Sequence, residues 1–308
     1  MIYVPRRDLI GYGPTPPDPR WPGAARLAVN FVLNYEEGAE YNVLEGDAHS
    51  ETLLSDLSGL EPLHGTRDLN IESAYEYGSR VGVWRCLGVF AERSVPITVY
   101  AVGLALEKNP AVADAIGAAG HDVVAHGWRW IDYRNVDEDI EGEHIQRCVE
   151  TIERLTGERP IGWYTGRPSL NTRRLVVAQG GFLYDCDAYN DELPYWVQVE
   201  GRPHLVICHT LDTNDSRFSR AQGFDLAEEW LTYMRDSFDA LYAEGADHPR
   251  FMTIAVHARL IGHPGRIGAL ERLRDHVLAH DDVWICRRNE VARHWYEHHP
   301  YADPPGPC

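Results

Sequence analysis

The feature that most constrains the fold is an alternation of short apolar segments with longer amphipathic ones along most of the chain. The run at residues 26–33 has the near-continuous apolar character of a strand buried on both faces. Residues 137–157 have a helical pattern and end in Gly157, which suits the position after a last helical turn. About seven such repeats predict an α/β fold with a mostly parallel sheet, closed or distorted into a barrel.

Two segments depart from this pattern. Residues 1–25 are rich in proline and glycine and are expected to form an extended arm. Residues 39–75 have no clear period and predict a long surface excursion, which in compact domains often serves as a lid or an interface. Nothing resembling a linker divides residues 1–308, so we expect one domain.

Bulk properties exclude several classes of function. The formal net charge of −18 argues against binding of nucleic acid or of an anionic membrane surface. No segment approaches the roughly 20 apolar residues of a membrane span, and no signal peptide is evident, so we expect a cytoplasmic protein. The six cysteines are scattered without a CxxC pair, which predicts free and mostly buried thiols.

Polar side chains follow successive predicted strands. In a barrel of this kind, chemistry lies where strands run into loops at their carboxyl ends. An acidic pair follows the first strand, and histidine, arginine and aspartate follow later ones, which together indicate a hydrolytic site. The candidates are Glu36 and Glu37, His126, Arg167, Asp185, His209, His257 and His263.

The ordered series resembles the NodB-homology, or polysaccharide deacetylase, family of carbohydrate esterases (family 4). The family's acidic first motif matches residues 34–38, and its histidine motif matches residues 126–130. Its arginine, aspartate and last histidine motifs match Arg167, Asp185 and His257. The resemblance implies a distorted (β/α)7 barrel.

A closer resemblance covers nearly the whole chain. The stretches RDLIGYG, FVLNYEEG, YEYGSRVGVWR, HGWRWIDY, GWYTGRPSLNTRRLV, GGFLYD, TLDTNDSRF and RLIGHPGR are similar to those of the PuuE-type allantoinases, a subgroup of that family. This resemblance implies a hydrolase that opens the hydantoin ring of allantoin to allantoate in urate catabolism. It also implies a homotetramer and a reaction without an obligatory metal.

The metal positions of the wider family are altered here. The matching residues are Glu37, His126 and Trp130, and an indole is not a metal ligand. We therefore expect no cofactor, although His209, His257 or His263 could rebuild a zinc site or one for another divalent metal.

The resulting hypothesis assigns roles to individual residues. Glu36 is the general base, held near its ionisation balance by Glu37. Arg167 orients a carboxylate, that of Asp185, as its family counterpart does. His257 either protonates the leaving nitrogen or stabilises the oxyanion, and His126 forms a hydrogen bond with the substrate. The remaining substrate-contacting candidates are Tyr35, Trp128, Trp130, Tyr164, His209 and His263.

Three other functions remain open at this point. A cyclic imide hydrolase would use the same scaffold, differing in whether the pocket recognises a ureido tail. A metal-dependent N-deacetylase of acetylated sugars is disfavoured by Trp130. A barrel without activity that senses a purine metabolite is disfavoured by the presence of Glu36, Arg167, Asp185 and His257 together.

Overall fold

A computed structural model describes residues 7–57 and 59–302 of the 308-residue chain. The described residues contain nine strands in one sheet. In chain order the strands are β1 (Leu27–Tyr35), β2 (Thr98–Ala101), β3 (Asp122–Ala125), β4 (Gly162–Trp163), β5 (Tyr184–Asp185), β6 (Tyr195–Val199), β7 (Arg202–Val206), β8 (Arg250–His257) and β9 (Val283–Ile285).

Seven neighbouring strands of the sheet run parallel, in the order β7-β5-β4-β3-β2-β1-β8. β6 extends the β7 edge as an antiparallel hairpin, and β9 pairs with the start of β1. Asn214, downstream of β7, pairs with Ala255 on β8, so the sheet curls back towards itself. The carboxyl ends of all seven parallel strands therefore lie at one rim.

Helices connect the strands and cover the outside of the curled sheet. They are α1 (Leu69–Tyr77), α2 (Val83–Ala91), α3 (Gly103–Lys108), α4 (Pro110–Ala118), α5 (Glu138–Thr156), α6 (Thr172–Gln179), α7 (Ala227–Glu244), α8 (Ala258–Ile261), α9 (Pro264–Leu278) and α10 (Arg288–His298). A π-helical turn, Gly78–Gly82, joins α1 to α2 without a break. Such turns are rare in proteins, and those that occur often lie at functional sites.

The predicted architecture is confirmed: the chain is α/β with a distorted, NodB-type barrel of seven parallel strands. β1 is buried along its whole length, as its apolar run predicts, and α5 ends at Gly157 in a left-handed conformation (φ 78°). The β6–β7 hairpin was not predicted. The β6 strand lies at the sheet edge and is mostly half-buried, so it lacks the fully buried pattern of the central strands.

Trp21 of the arm and part of the excursion pack on the rest of the chain. Trp21 is buried against Phe251 and Trp295, and its indole Nε1 donates to the carbonyl of Arg250. Residues 52–60 of the excursion, apart from Ser58, lie over the rim that carries the strand ends. Five cysteines are buried and free, and Cys308 lies outside the described residues. Within the described ranges, no helix combines the length and the apolarity that crossing a membrane requires.

Candidate active site

Three strand ends bring a carboxylate and two histidines together at the rim. Glu36 follows β1, His126 follows β3, and His257 ends β8. Glu36 Oε1 lies 3.0 Å from His126 Nε2 and 3.6 Å from His257 Nε2. All three side chains are buried, so their charges interact in a medium of low polarity.

Arg259 forms an ion pair with this carboxylate from the short helix α8. Its Nη2 lies 2.6 Å from Glu36 Oε2, and its guanidinium stacks 4.2 Å from the ring centre of Tyr75. Burial alone would raise the pKa of Glu36, but the charge of Arg259 and the hydrogen bond with His126 bring it below its usual value. Glu36 is therefore ionised at neutral pH.

Two glycines of the π-helical turn make room for this arrangement. A β-carbon at Gly82 would overlap the carbonyl of Ala258, at the start of α8. A β-carbon at Gly78 would overlap the carboxylate of Glu37. The sequence YEYGSRVG thus allows the helix to approach α8 closely enough for Arg259 to reach the carboxylates.

The hydrogen bonds of His126 define where its proton lies. Nδ1 is 3.0 Å from the carbonyl oxygen of Tyr164, an acceptor only, so Nδ1 donates. The contact between Nε2 and the ionised Glu36 then also requires a proton on the imidazole. We therefore assign His126 as an imidazolium that donates from both nitrogens.

His257 is held by a different carboxylate, Asp215. Its Nδ1 lies 2.6 Å from Asp215 Oδ1, and its backbone N–H donates to Oδ2 at 2.8 Å. Asp215 also accepts from the backbone N–H of Ile261, which fixes the carboxylate. Since Nδ1 donates to Asp215, Nε2 is free to accept a proton, and its 3.6 Å distance from Glu36 is too long for a hydrogen bond.

These groups line a cavity of about 430 Å³. Its floor is formed by the strand ends and its cover by residues 52–55, 57, 59 and 60 of the excursion. The side chains of the floor and walls are Asn34, Glu36, His126, Trp130, Tyr164, Arg167, Tyr189, His209, Leu211, Asn214, Ser216, Ser219, Arg220 and His257.

Within the described residues, three polar atoms of side chains that line the cavity have no hydrogen-bond partner. They are His209 Nδ1, Ser216 Oγ and Arg167 Nε, and all three are buried. Burial and the nearby charge of Arg288 lower the pKa of His209 well below its usual value, so the ring is neutral. Buried polar groups are nearly always hydrogen-bonded, which makes these three atoms candidates to bind a ligand.

Most of the predicted site residues do meet at this cavity. Those that line it are Glu36, His126, Trp130, Tyr164, Arg167, His209 and His257. Asp215, Ser216 and Arg259 were missed as individual residues, although they lie in the stretches TLDTNDSRF and RLIGHPGR. Their roles depend on which way a loop residue points, which the sequence pattern does not show.

The other five predicted residues do not line the cavity. Tyr35, one strand position from Glu36, points to the opposite face and bonds to Ser79 Oγ. Glu37 packs against Gly78, and burial raises its pKa. Trp128 packs against Gly103 and under the guanidinium of Arg147. His263 stacks on Tyr77, 4.1 Å between ring centres. Asp185 is buried below the rim.

The expected contact between Arg167 and Asp185 does not form. Asp185 instead pairs with Arg173, whose Nε lies 2.7 Å from Oδ2, and with His204. Arg167 donates to the carbonyl of Trp130 at 2.6 Å and lies 4.1 Å from that ring centre. The expectation that Glu37 keeps Glu36 near its ionisation balance was also wrong, because the charge of Arg259 and the hydrogen bond with His126 lower the pKa of Glu36.

The residues at the family's metal positions do not fit a metal. Glu37 points away from the cavity towards Gly78, and Arg259 lies 3.4 Å from its Oε1. His126 uses both ring nitrogens in hydrogen bonds, and the third position is Trp130. These three side chains do not converge on one point with free lone pairs, as a zinc site needs.

The chain is similar to known proteins of one family. Residues 66–180 match the family model of the polysaccharide deacetylases. A candidate polysaccharide deacetylase of Schizosaccharomyces pombe is 42% identical over 96% of this chain and 98% of its own length. The crystal structure of PuuE allantoinase is 53% identical, with a TM-score of 0.94, and covers 96% of this chain and 99% of its own. A candidate polysaccharide deacetylase of Pseudomonas aeruginosa PAO1 gives the same values.

Proposed function

This chain belongs to the polysaccharide deacetylase family, and we propose that within it the protein hydrolyses the hydantoin ring of allantoin to allantoate without an obligatory metal. The observation that carries the proposal is the similarity to PuuE allantoinase, 53% identical over 96% of the chain. The cavity adds chemical support, since it combines a proton acceptor, a fixed carboxylate and unused hydrogen-bonding groups.

The cavity suits a small polar ring. Its volume of about 430 Å³ lies within the range of small-molecule sites. The cover formed by residues 52–55, 57, 59 and 60 leaves less room for a polymeric glycan than an open cleft would. Hydantoin and ureido groups carry both N–H donors and carbonyl acceptors, which complement the unpartnered atoms of His209 and Ser216.

His257 is the best placed group to move a proton in this reaction. Its free Nε2 takes a proton from a water molecule as the water oxygen bonds to the ring carbonyl carbon. The carbonyl oxygen becomes an oxyanion, which collapses as the carbon–nitrogen bond breaks. His257 then returns the proton to the departing nitrogen, and Asp215 stabilises the imidazolium in between.

Glu36 has a different role in this scheme from the one predicted from the sequence. A carboxylate with a strongly lowered pKa is a weak base, because general bases work best near the operating pH. We propose that Glu36 orients the water beside His257 and keeps His126 charged. The positive charge of His126 then offsets the developing oxyanion.

The test is hydrolysis of racemic allantoin by the purified full chain, with allantoate as the measured product. Samples with and without prolonged chelation are compared, and succinimide, hydantoin and an N-acetylated glycan oligomer are run beside allantoin. We expect chelator-resistant formation of allantoate. A Glu36→Gln variant, folded by circular dichroism, should lose most of this turnover.

Each other outcome points to a different activity. Turnover of succinimide without turnover of allantoin would identify a cyclic imide hydrolase. Release of acetate from the glycan, lost on chelation and restored by zinc, would identify a metal-dependent deacetylase. Tight binding of ring compounds without turnover of any substrate would indicate a sensor.

A further inference from the structure

The helices on the outside of the barrel carry a second group of metal-ligating side chains, none of which lines the cavity. Asp239 lies on α7, His276 lies on α9, and His280 follows two residues after the end of that helix. One ligand atom from each lies within 4.8 Å of the other two. Within residues 7–57 and 59–302, it is the single cluster of three or more such side chains with this spacing.

We propose that Asp239, His276 and His280 form a binding site for a divalent transition metal such as zinc, which would link α7 to α9. Two imidazoles and a carboxylate are an ordinary ligand set for zinc, with a water completing the tetrahedron. Soft thiolate ligands are absent from the cluster, and imidazole favours zinc, copper or nickel over magnesium or calcium.

The hydrogen bond of His280 leaves its Nε2 free to bind a metal. Its Nδ1 lies 2.9 Å from the carbonyl oxygen of His276, so Nδ1 donates and Nε2 carries a lone pair. Metal-bound histidines commonly donate their other nitrogen to a carbonyl in this way. The ring is also held by aromatic neighbours, with Phe238 at 4.9 Å and Tyr242 at 4.7 Å between ring centres.

His276 and Asp239 are already in contact across the two helices. His276 Nε2 lies 2.7 Å from Asp239 Oδ1, and Phe238 packs 5.2 Å from the His276 ring. A metal would replace the proton of this hydrogen bond. Ligands at zinc distances are about 3.3 Å apart in a tetrahedron, so closing the cluster from within 4.8 Å requires only small side-chain movements.

This surface site is separate from the catalytic cavity and has a practical consequence. Zinc found in the purified protein would be bound here, whereas Glu37, His126 and Trp130 are not arranged to hold it. Metal content and metal-dependent activity are therefore expected to vary independently.

The experiment is zinc titration of the metal-stripped full chain by calorimetry, with the melting temperature recorded with and without zinc. We expect one zinc per chain and a zinc-dependent rise in melting temperature. Asp239→Asn and His280→Gln should each weaken zinc binding by more than about tenfold and abolish the rise. Circular dichroism and the zinc-free melting temperature show whether each variant is folded.

A matched control comes from α10. His294 and His298 are four residues apart, as His276 and His280 are, and both lie on α10. His298 Nδ1 lies 3.1 Å from the carbonyl oxygen of His294, which matches the contact of His280 with His276. His294 Nε2, however, is bonded to the carbonyl of Pro19. His298→Gln should leave zinc affinity unchanged. The proposal is overturned if the wild-type chain binds no zinc, or if Asp239→Asn and His280→Gln both bind it as tightly as wild type.

Discussion

Asp215 accepts two hydrogen bonds from one residue, His257, through the backbone N–H at 2.8 Å and through the ring Nδ1 at 2.6 Å. The carboxylate therefore fixes the position of the strand end and the orientation of the imidazole at once. Because the ring donates through Nδ1, its Nε2 faces the cavity as a proton acceptor.

Asp215→Asn should reduce kcat by about 10²- to 10⁴-fold with the fold intact. The amide can offer its NH₂ group to Nδ1, which would move the ring proton to Nε2 and block proton acceptance. The measurement is steady-state turnover of the ring substrate together with circular dichroism. Asp212→Asn, at an exposed position of the same loop, is the control and should retain activity. Full activity in Asp215→Asn would remove His257 from its assigned role.

Arg259→Gln should lower the free energy of unfolding by about 3–5 kcal/mol, because it leaves two buried carboxylates without their cation. Urea denaturation followed by fluorescence measures this change. Arg272→Gln removes an exposed pair with Glu228 and should cost less than about 1 kcal/mol. Equal effects of the two substitutions would show that the buried ion pair does not stabilise the fold as argued.

The sequence was sufficient to predict the rim and most of its residues, because strand ends in a parallel barrel meet on one side. Glu36, His126 and His257 were predicted in this way. The Nε2 atoms of the two histidines lie 3.0 and 3.6 Å from Glu36 Oε1. The partners of these residues were harder to predict. Arg173 and Arg167 both follow β4, and only the path of the loop decides which one reaches Asp185.

The metal positions show the same limit. The sequence shows that Trp130 stands where the wider family has a metal-binding histidine. The direction of the Glu37 side chain depends instead on the alternation of side chains along β1 and on the space beside Gly78. The expected homotetramer depends on surfaces between chains and stays a prediction, which light scattering can check.

Ser216→Ala should raise KM for allantoin by about 2- to 10-fold and leave kcat nearly unchanged, because a neutral hydrogen bond to the substrate is lost. The comparison of KM with kcat separates binding from chemistry. Ser237→Ala, on α7, removes a hydroxyl that bonds only to its own helix and serves as the control. A fall in kcat with unchanged KM would place Ser216 in the chemical step instead.

Trp130→His restores the histidine spacing of the wider family, and we expect that it does not create zinc-dependent activity. Glu37 would still point towards Gly78 and lie next to Arg259, so the third ligand would be missing. Turnover with and without added zinc measures this, in a background that also carries Asp239→Asn to remove the surface site. Zinc-dependent activation of that double variant would show that Glu37 can turn into the cavity.

His144 should make stability depend on pH below neutrality. Burial, together with Arg129 and Arg147, lowers its pKa from 6.5 to about 4, while its Nδ1 contacts the hydroxyl of Tyr133 at 3.0 Å. Between pH 6.5 and about 4 the unfolded chain binds a proton that the folded chain does not, so stability falls as the pH is lowered through this window. After allowance for solvent screening, the loss should be about 1–2 kcal/mol.

Urea denaturation at a series of pH values, with wild type and His144→Gln compared, isolates this contribution. The variant lacks the titrating group. Its unfolding free energy should therefore fall less than that of the wild type as the pH is lowered from 6.5 to 4. His248→Gln, at an exposed position, is the control and should follow the wild-type curve. A difference that is constant across the window would mean that His144 is protonated in the folded protein as readily as in the unfolded chain.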